Sequence, residues 1–152
     1  MNDLSNAPVI PYLTVADGKR AIRFLVEAFD GRLVNRQDTP DGAKVIHAAV
    51  AVNGGVVMLS DDFPERRGGK PLNARALGGS PVTIGLTVPD ADAAWDRAVR
   101  AGATVVLPLA DQFWGDRFGI LEDPEGIQWS ITTKKRAATD EELRAGAQKH
   151  FG

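Results

Sequence analysis

Apolar positions in the first 61 residues change rhythm several times, and each change predicts an element. Val9 to Val15 is rich in β-formers, and after Asp17 the apolar residues Ile22, Leu25, Val26 and Phe29 recur at helical spacing. Asp17 supplies an N-cap, and Gly31 is expected to stop the helix. Arg32 to Gln37 predicts a strand, Pro40-Asp41-Gly42 a turn, and Lys44 to Val52 a strand in which Ile46, Ala48, Val50 and Val52 alternate with Val45, His47, Ala49 and Ala51. Asn53-Gly54 then predicts a tight hairpin into a strand from Gly55 to Asp61.

From Phe63 to Ser80 the periodicity fades into a stretch rich in glycine, proline and arginine. This predicts a long connector whose Arg66, Arg67, Lys70 and Arg75 either ride in a solvated, mobile loop or cover an anionic ligand. The first order of elements then begins again. Pro81 to Val88 predicts a strand, Asp90 caps a helix carrying Ala91, Ala94, Trp95, Ala98 and Val99, and Gly102 ends it. Strands follow at Thr104 to Leu109, Arg117 to Glu122 and Ile127 to Thr133.

Leu13-Thr14-Val15-Ala16-Asp17 matches Leu86-Thr87-Val88-Pro89-Asp90, and each precedes a helix ended by glycine. The chain thus reads as a duplication of one βαβββ unit: modules 8–61 and 81–133, joined by connector 62–80, form a single domain over residues 1–133. In the tail, 134–152, Thr139 and Glu142 have the spacing of a capping box, which predicts a short C-terminal helix.

Composition removes whole classes of function. The 152 residues carry 18 basic and 20 acidic side chains, a formal net charge of −2, so no overall field recruits nucleic acid or an anionic membrane. The chain has no cysteine, which excludes disulfides, thiolate metal sites and a cysteine nucleophile. Residues 1–8 lack the pattern of a secretory signal and no run has the length of a membrane span, so a cytoplasmic location is expected. Neither Gly54-Gly55 nor Gly68-Gly69 belongs to a phosphate-cradling motif, which leaves nucleotide binding without support and weighs against a methyltransferase.

Several short runs point to a family. Pro11-Tyr12-Leu13, Ile46-His47-Ala48, Met58-Leu59-Ser60-Asp61, the run from Asp111 to Gly119 containing Trp114-Gly115-Asp116-Arg117, and Asp123-Pro124-Glu125-Gly126 resemble the PhnB-like branch of the vicinal-oxygen-chelate superfamily, that of glyoxalases, bleomycin-resistance proteins and extradiol dioxygenases. The resemblance implies an α+β fold with two tandem βαβββ modules, each a curved half-barrel sheet with its helix on the convex side. It further implies a homodimer and a small-molecule ligand on the concave side, with no nucleic acid or membrane partner.

Parity within the predicted strands puts Tyr12, Thr14, His47, Ala49, Thr83, Gly85, Ser130 and Thr132 on one short-chained, polar sheet face. That face is either a ligand cleft or merely solvated. Metal-dependent relatives take their ligands from the first and last strands of each module. Here those positions carry Ile10, Met58, Thr83 and Ser130, none a credible ligand for a hard divalent cation, so neither metal nor other cofactor is expected. The candidate ligand-binding residues are Tyr12, His47, Met58, Thr83, Phe113, Trp114, Arg117 and Ser130. Phe113 and Trp114 offer stacking faces, Arg117 a bidentate anion contact, and Tyr12 and His47 polar anchors; the alternative is that Arg117 pairs with Asp116 or across a subunit interface, Trp114 fills the core, His47 is a structural histidine and Tyr12 covers the barrel edge.

Three functions stay open at this level, and whether the protein is an enzyme is undecided. One is metal-free sequestration of a small, partly aromatic molecule, as in resistance proteins. Another is a metal-independent lyase or isomerase using His47 or Tyr12 as acid or base. The third, metal-dependent catalysis, is disfavoured by the ligand positions.

Overall fold

The computed structural model describes residues 9–152, so the expectation drawn from residues 1–8 lies outside the described residues. In chain order, β1 (Tyr12–Val15), α1 (Gly18–Phe29), β2 (Arg32–Asp38), β3 (Val45–Val52) and β4 (Gly55–Asp61) make the first module. A 3₁₀ turn (Pro64–Arg67) and the one-turn α2 (Ala74–Leu77) occupy the connector. Then β5 (Thr83–Thr87), α3 (Ala91–Arg100), β6 (Thr104–Asp111), β7 (Asp116–Glu122) and β8 (Gln128–Lys134) make the second, and α4 (Asp140–Phe151) the tail. The strand orders β1-β4-β3-β2 and β5-β8-β7-β6 are the same pattern, so the duplication read from the landmarks is a duplication of topology. Each sheet is curved, and the two do not close into a barrel.

Helix α1 packs on β3 and β4, and α3 on β6 and β8. The capping follows the sequence closely: Asp17 accepts from the Arg20 N–H, Asp90 from the Ala93 N–H, and Thr139 and Glu142 form the complete capping box of α4. Three helix details differ from the periodic reading. Val26 and Val99 are exposed, while Phe24 is buried in the core. The left-handed residue that ends α1 is Asp30, at φ 54°. Gly31 matters for space instead, because a Cβ there would sit 2.7 Å from the Leu25 carbonyl oxygen.

The strand pattern also needs one correction. Val45 is fully buried against α1 and Ile46 is exposed, the reverse of strict alternation. Gln37 pairs with His47 but Asp38 with Val45, so Ile46 is an extra residue in β3, a bulge that flips the parity of everything before it. From His47 onward the alternation holds: Ala48, Val50 and Val52 join Leu59 and Val57 beneath α1, and His47, Ala49 and Ala51 face the other way.

One core serves both modules. Trp129 of β8 is fully buried, and its ring lies 4.8 Å from that of Phe29 in α1. Polar staples join the modules in both directions. Asn53, in the β3–β4 turn, donates to the Thr87 carbonyl at 2.9 Å, and Glu125, in the β7–β8 turn, accepts from Arg20 Nε at 2.7 Å and from the Ala16 N–H at 3.2 Å.

The connector is tied by hydrogen bonds within itself and to the second module. Asp62, itself buried, accepts from Arg67, from the N–H groups of Leu72 and Asn73, and from the Asn73 amide. Arg75 donates to Glu122 and to the carbonyls of Asp123 and Pro124. Two of the four cations suggested as a lid are therefore committed to holding the chain in place.

Candidate functional site

On the concave face of the first sheet, register sets one row across four strands: Tyr12 opposite Met58, Met58 opposite Ala49, and Ala49 opposite Asn35. In the next row Thr14 lies opposite Ser60, and Gln37 opposite His47. Tyr12 Oη and His47 Nδ1 are 2.9 Å apart, and the two rings are tilted by 38° with centroids 5.7 Å apart. With the imidazole proton on Nε2, the phenol donates to Nδ1 and Nε2–H points its hydrogen-bonding capacity elsewhere. Tyr12 keeps 53% of its surface exposed, so the pair is open to a ligand.

The corresponding face of the second sheet carries Thr83, Gly85, Gln128, Ser130, Thr132, Phe118 and Ile120 by the same register logic. Thr83 Oγ1 is hydrogen-bonded to Gln128 Oε1 at 3.3 Å, and the missing side chain at Gly85 leaves room beside Ser130. Trp114 closes the end of this face. Its indole N–H donates to Asp116 at 3.1 Å, and its ring meets Phe118 edge-on at 5.5 Å. Gly115, next in the turn, has φ 101°, and a Cβ there would lie 2.1 Å from the Arg136 carbonyl oxygen, so glycine is required on both counts.

The expected group of eight is thus divided. Tyr12, His47 and Met58 come together on the first sheet; Thr83 and Ser130 lie on the second, with Trp114 at the opposite end of that face from Thr83, since Thr83 pairs with Gln128 and Asp116, beside Trp114, pairs with Lys134. Phe113 points away from the sheet face and packs under α4. Arg117 stands on the opposite, helix-facing side of β7, where alternation also puts Gly119 and Leu121. Its guanidinium grips Asp92 of α3 through two bonds of 2.9 and 2.8 Å and Asp111 through a third of 3.1 Å. Those hydrogen bonds raise the Arg117 pKa and lower those of Asp92 and Asp111. The fork foreseen for a ligand anion is occupied by a carboxylate of this chain.

The four positions of a superfamily metal centre do not fit one. Ile10 has no donor, Met58 offers a thioether, and Thr83 and Ser130 offer neutral hydroxyls, with Thr83 turned to Gln128. Among the described residues no three His, Asp or Glu side chains cluster to hold an ion. The buried carboxylates are saturated by protein donors: Asp61 by the N–H groups of Gly18 and Val45, Asp123 by Trp129 Nε1 and the N–H groups of Glu125 and Ile127. Burial raises the Asp123 pKa in spite of those donors. These acids were missed as structural elements in the sequence, although the Asp123-Pro124-Glu125-Gly126 turn was visible.

A cavity of about 390 Å³ adjoins the first site, with Tyr12 in its wall beside Leu72, Leu77 and Val82. It lies under the connector, and its lining is mainly apolar.

Comparison with known proteins agrees with this architecture. The model of the Glyoxalase/Bleomycin resistance protein/Dioxygenase superfamily matches residues 8–131. An uncharacterized protein of Mycobacterium bovis, Mb0911c, is 50% identical over 135 residues, covering 89% of this chain and 88% of its own. The crystal structure of TioX from Micromonospora sp. ML1 is 32% identical with a TM-score of 0.64, covering 83% of this chain and 97% of TioX. A PhnB protein from Bacillus cereus, 18% identical over 83% of this chain and 98% of its own, shares the fold with a TM-score of 0.63.

Proposed function

The chain belongs to the Glyoxalase/Bleomycin resistance protein/Dioxygenase superfamily, and from that membership we propose that it is a metal-independent member that binds a small molecule on its concave sheet faces. The observation that carries this reading is the Tyr12–His47 pair, whose phenol oxygen and Nδ1 are 2.9 Å apart on an open sheet face. A ligand polar group can engage the free edge of this pair, while Met58 and the neighbouring apolar cavity accept a carbon skeleton. Trp114 and Phe118 offer an aromatic counterpart on the second sheet.

The reading includes a cytoplasmic homodimer. Strands β2 and β6 are edges exposed along most of their length, with Leu33, Val34, Val105, Val106 and Leu107 in solvent, and pairing two copies would cover such edges. Among the described residues no helix is long and apolar enough to cross a membrane.

The same pair favours a second reading, metal-independent proton transfer. A phenol hydrogen-bonded to an imidazole is a plausible acid–base unit, and a lyase or isomerase would use it to move a proton of the bound substrate. The test is a thermal-shift screen of small aromatic and polar compounds, with and without divalent ions, followed by mass spectrometry of each stabilising compound after incubation with the protein. Recovery of the compound unchanged supports binding; turnover abolished by His47→Ala supports catalysis.

A further inference from the structure

We propose that helix α4 holds Trp114 in place on the concave side of the second sheet, with Phe113 as the positioning residue between them. The proposal rests on the reading that this face binds a ligand, and it assigns a role to the helix that follows the duplicated modules.

Helix α4 is assembled locally. Its capping box, the acidic first turn Asp140-Glu141-Glu142 and the basic Lys149 near its end all suit the helix dipole, and Arg136 adds an ion pair to Glu142 at 3.0 Å. It has no apolar stripe to bury: of its 12 residues only Gly146 is buried. A glycine is a poor choice for the middle of a helix, and here its missing side chain makes the contact. A Cβ at 146 would lie 2.2 Å from Phe113 Cδ2 and 2.3 Å from Cγ, so the Phe113 ring occupies the space a side chain would take. His150, one turn further on the same helix face, stacks its ring on Phe113 with centroids 5.4 Å apart and planes 17° from parallel.

From Phe113 the contact passes directly to Trp114. The two rings meet edge to face at 5.1 Å, and Trp114 meets Phe118 in the same way at 5.5 Å. The tail grips the turn a second time, since the N–H groups of Lys135 and Arg136 both donate to the Gly115 carbonyl at 3.2 Å. The series His150, Phe113, Trp114, Phe118 thus runs from the tail to the concave face. Undocking α4 removes the notch and the stacked ring that hold Phe113, and with them the support behind the Phe113 face of Trp114. Helix α4 thereby controls how well the second sheet presents its aromatic surface.

The test uses the full chain and two readouts. The first is the indole N–H resonance of Trp114, assigned with Trp114→Phe and read beside that of Trp129, which is buried on Asp123 and serves as a control for the fold. The second is the Kd of the aromatic probe 8-anilinonaphthalene-1-sulfonate. Gly146→Leu is expected to move the Trp114 resonance, leave that of Trp129 unchanged, and weaken the probe several-fold, approaching the effect of Trp114→Ala. His150→Ala moves the same resonance less, and His150→Phe, which keeps a ring on Phe113, restores it. A Trp114 resonance unmoved in both Gly146→Leu and His150→Ala overturns the proposal, as does probe binding that Trp114→Ala weakens and Gly146→Leu does not. If Gly146→Leu moves the resonance but Trp114→Ala leaves probe binding intact, the positioning role stands and the ligand-face reading fails.

Discussion

Glu125 Oε1 accepts a hydrogen bond from Arg20 Nε at 2.7 Å, joining the last turn of the second module to the first helix of the first. Its other oxygen faces the N–H groups of Ala16 and Asp17 at 3.2 and 3.4 Å, so a fully buried carboxylate satisfies both a cation and the backbone leading into α1. Glu125→Ala leaves those donors without their acceptor, and stability is expected to fall by about 2–3 kcal/mol. For a chain of this size that is a Tm lower by roughly 5–10 °C in a thermal melt. A Tm within a degree of wild type would show that the modules are joined by apolar packing alone.

Asp62 governs acid sensitivity of the connector. Burial pushes its carboxyl up, but the Asn73 amide, the Leu72 N–H, Arg67 and the Asn73 N–H together outweigh that and hold it down at about 2. A folded-state pKa below the unfolded value contributes stability that is fully present above about pH 4 and is lost as pH falls toward 2. Asp62→Asn is expected to be less stable at neutral pH and to flatten the profile between those two values. It should also expose the connector to trypsin at Arg66 and Arg67, read by mass spectrometry of the fragments. An unchanged acid limb would assign the pH dependence to other carboxylates.

Arg117→Ala separates the two faces of β7. Because Arg117 is spent on Asp92 and Asp111 on the helix side, the substitution is expected to leave the affinity of the probe 8-anilinonaphthalene-1-sulfonate within twofold of wild type. These are surface ion pairs, so the melting temperature should change little. A marked loss of affinity would return Arg117 to the ligand site.

The split between Arg117 and Trp114 also shows where the sequence was legible. The duplicated frame could be read because Leu-Thr-Val-x-Asp recurs before each helix, and the buried side of β8 because Trp129 and Ile131 alternate with shorter polar residues. Tyr12 and His47 were placed on one face by parity, and the structure has them in contact. Parity was lost where a single extra residue, Ile46, enters β3, because a bulge leaves no compositional mark in an apolar run. The partners of Arg117 and Phe113 were also hidden. Asp92 and Gly146 lie far away in the chain, and a glycine that accommodates an aromatic ring looks like any other glycine in a helix. Such contacts arise from tertiary packing, which local pattern does not encode.

The central claim is ligand binding at Tyr12 and His47 without a metal. Its most direct test is the ligand-dependent rise in Tm of the full-length protein across a small-molecule screen in excess chelator, repeated with Mn²⁺ or Zn²⁺ and with Tyr12→Phe and His47→Ala. The account predicts compounds that raise the Tm by the same amount with chelator and with metal, with most of that rise lost in His47→Ala and part of it in Tyr12→Phe. Stabilisation that appears only when a divalent ion is added, or that survives unchanged in both variants, would contradict it.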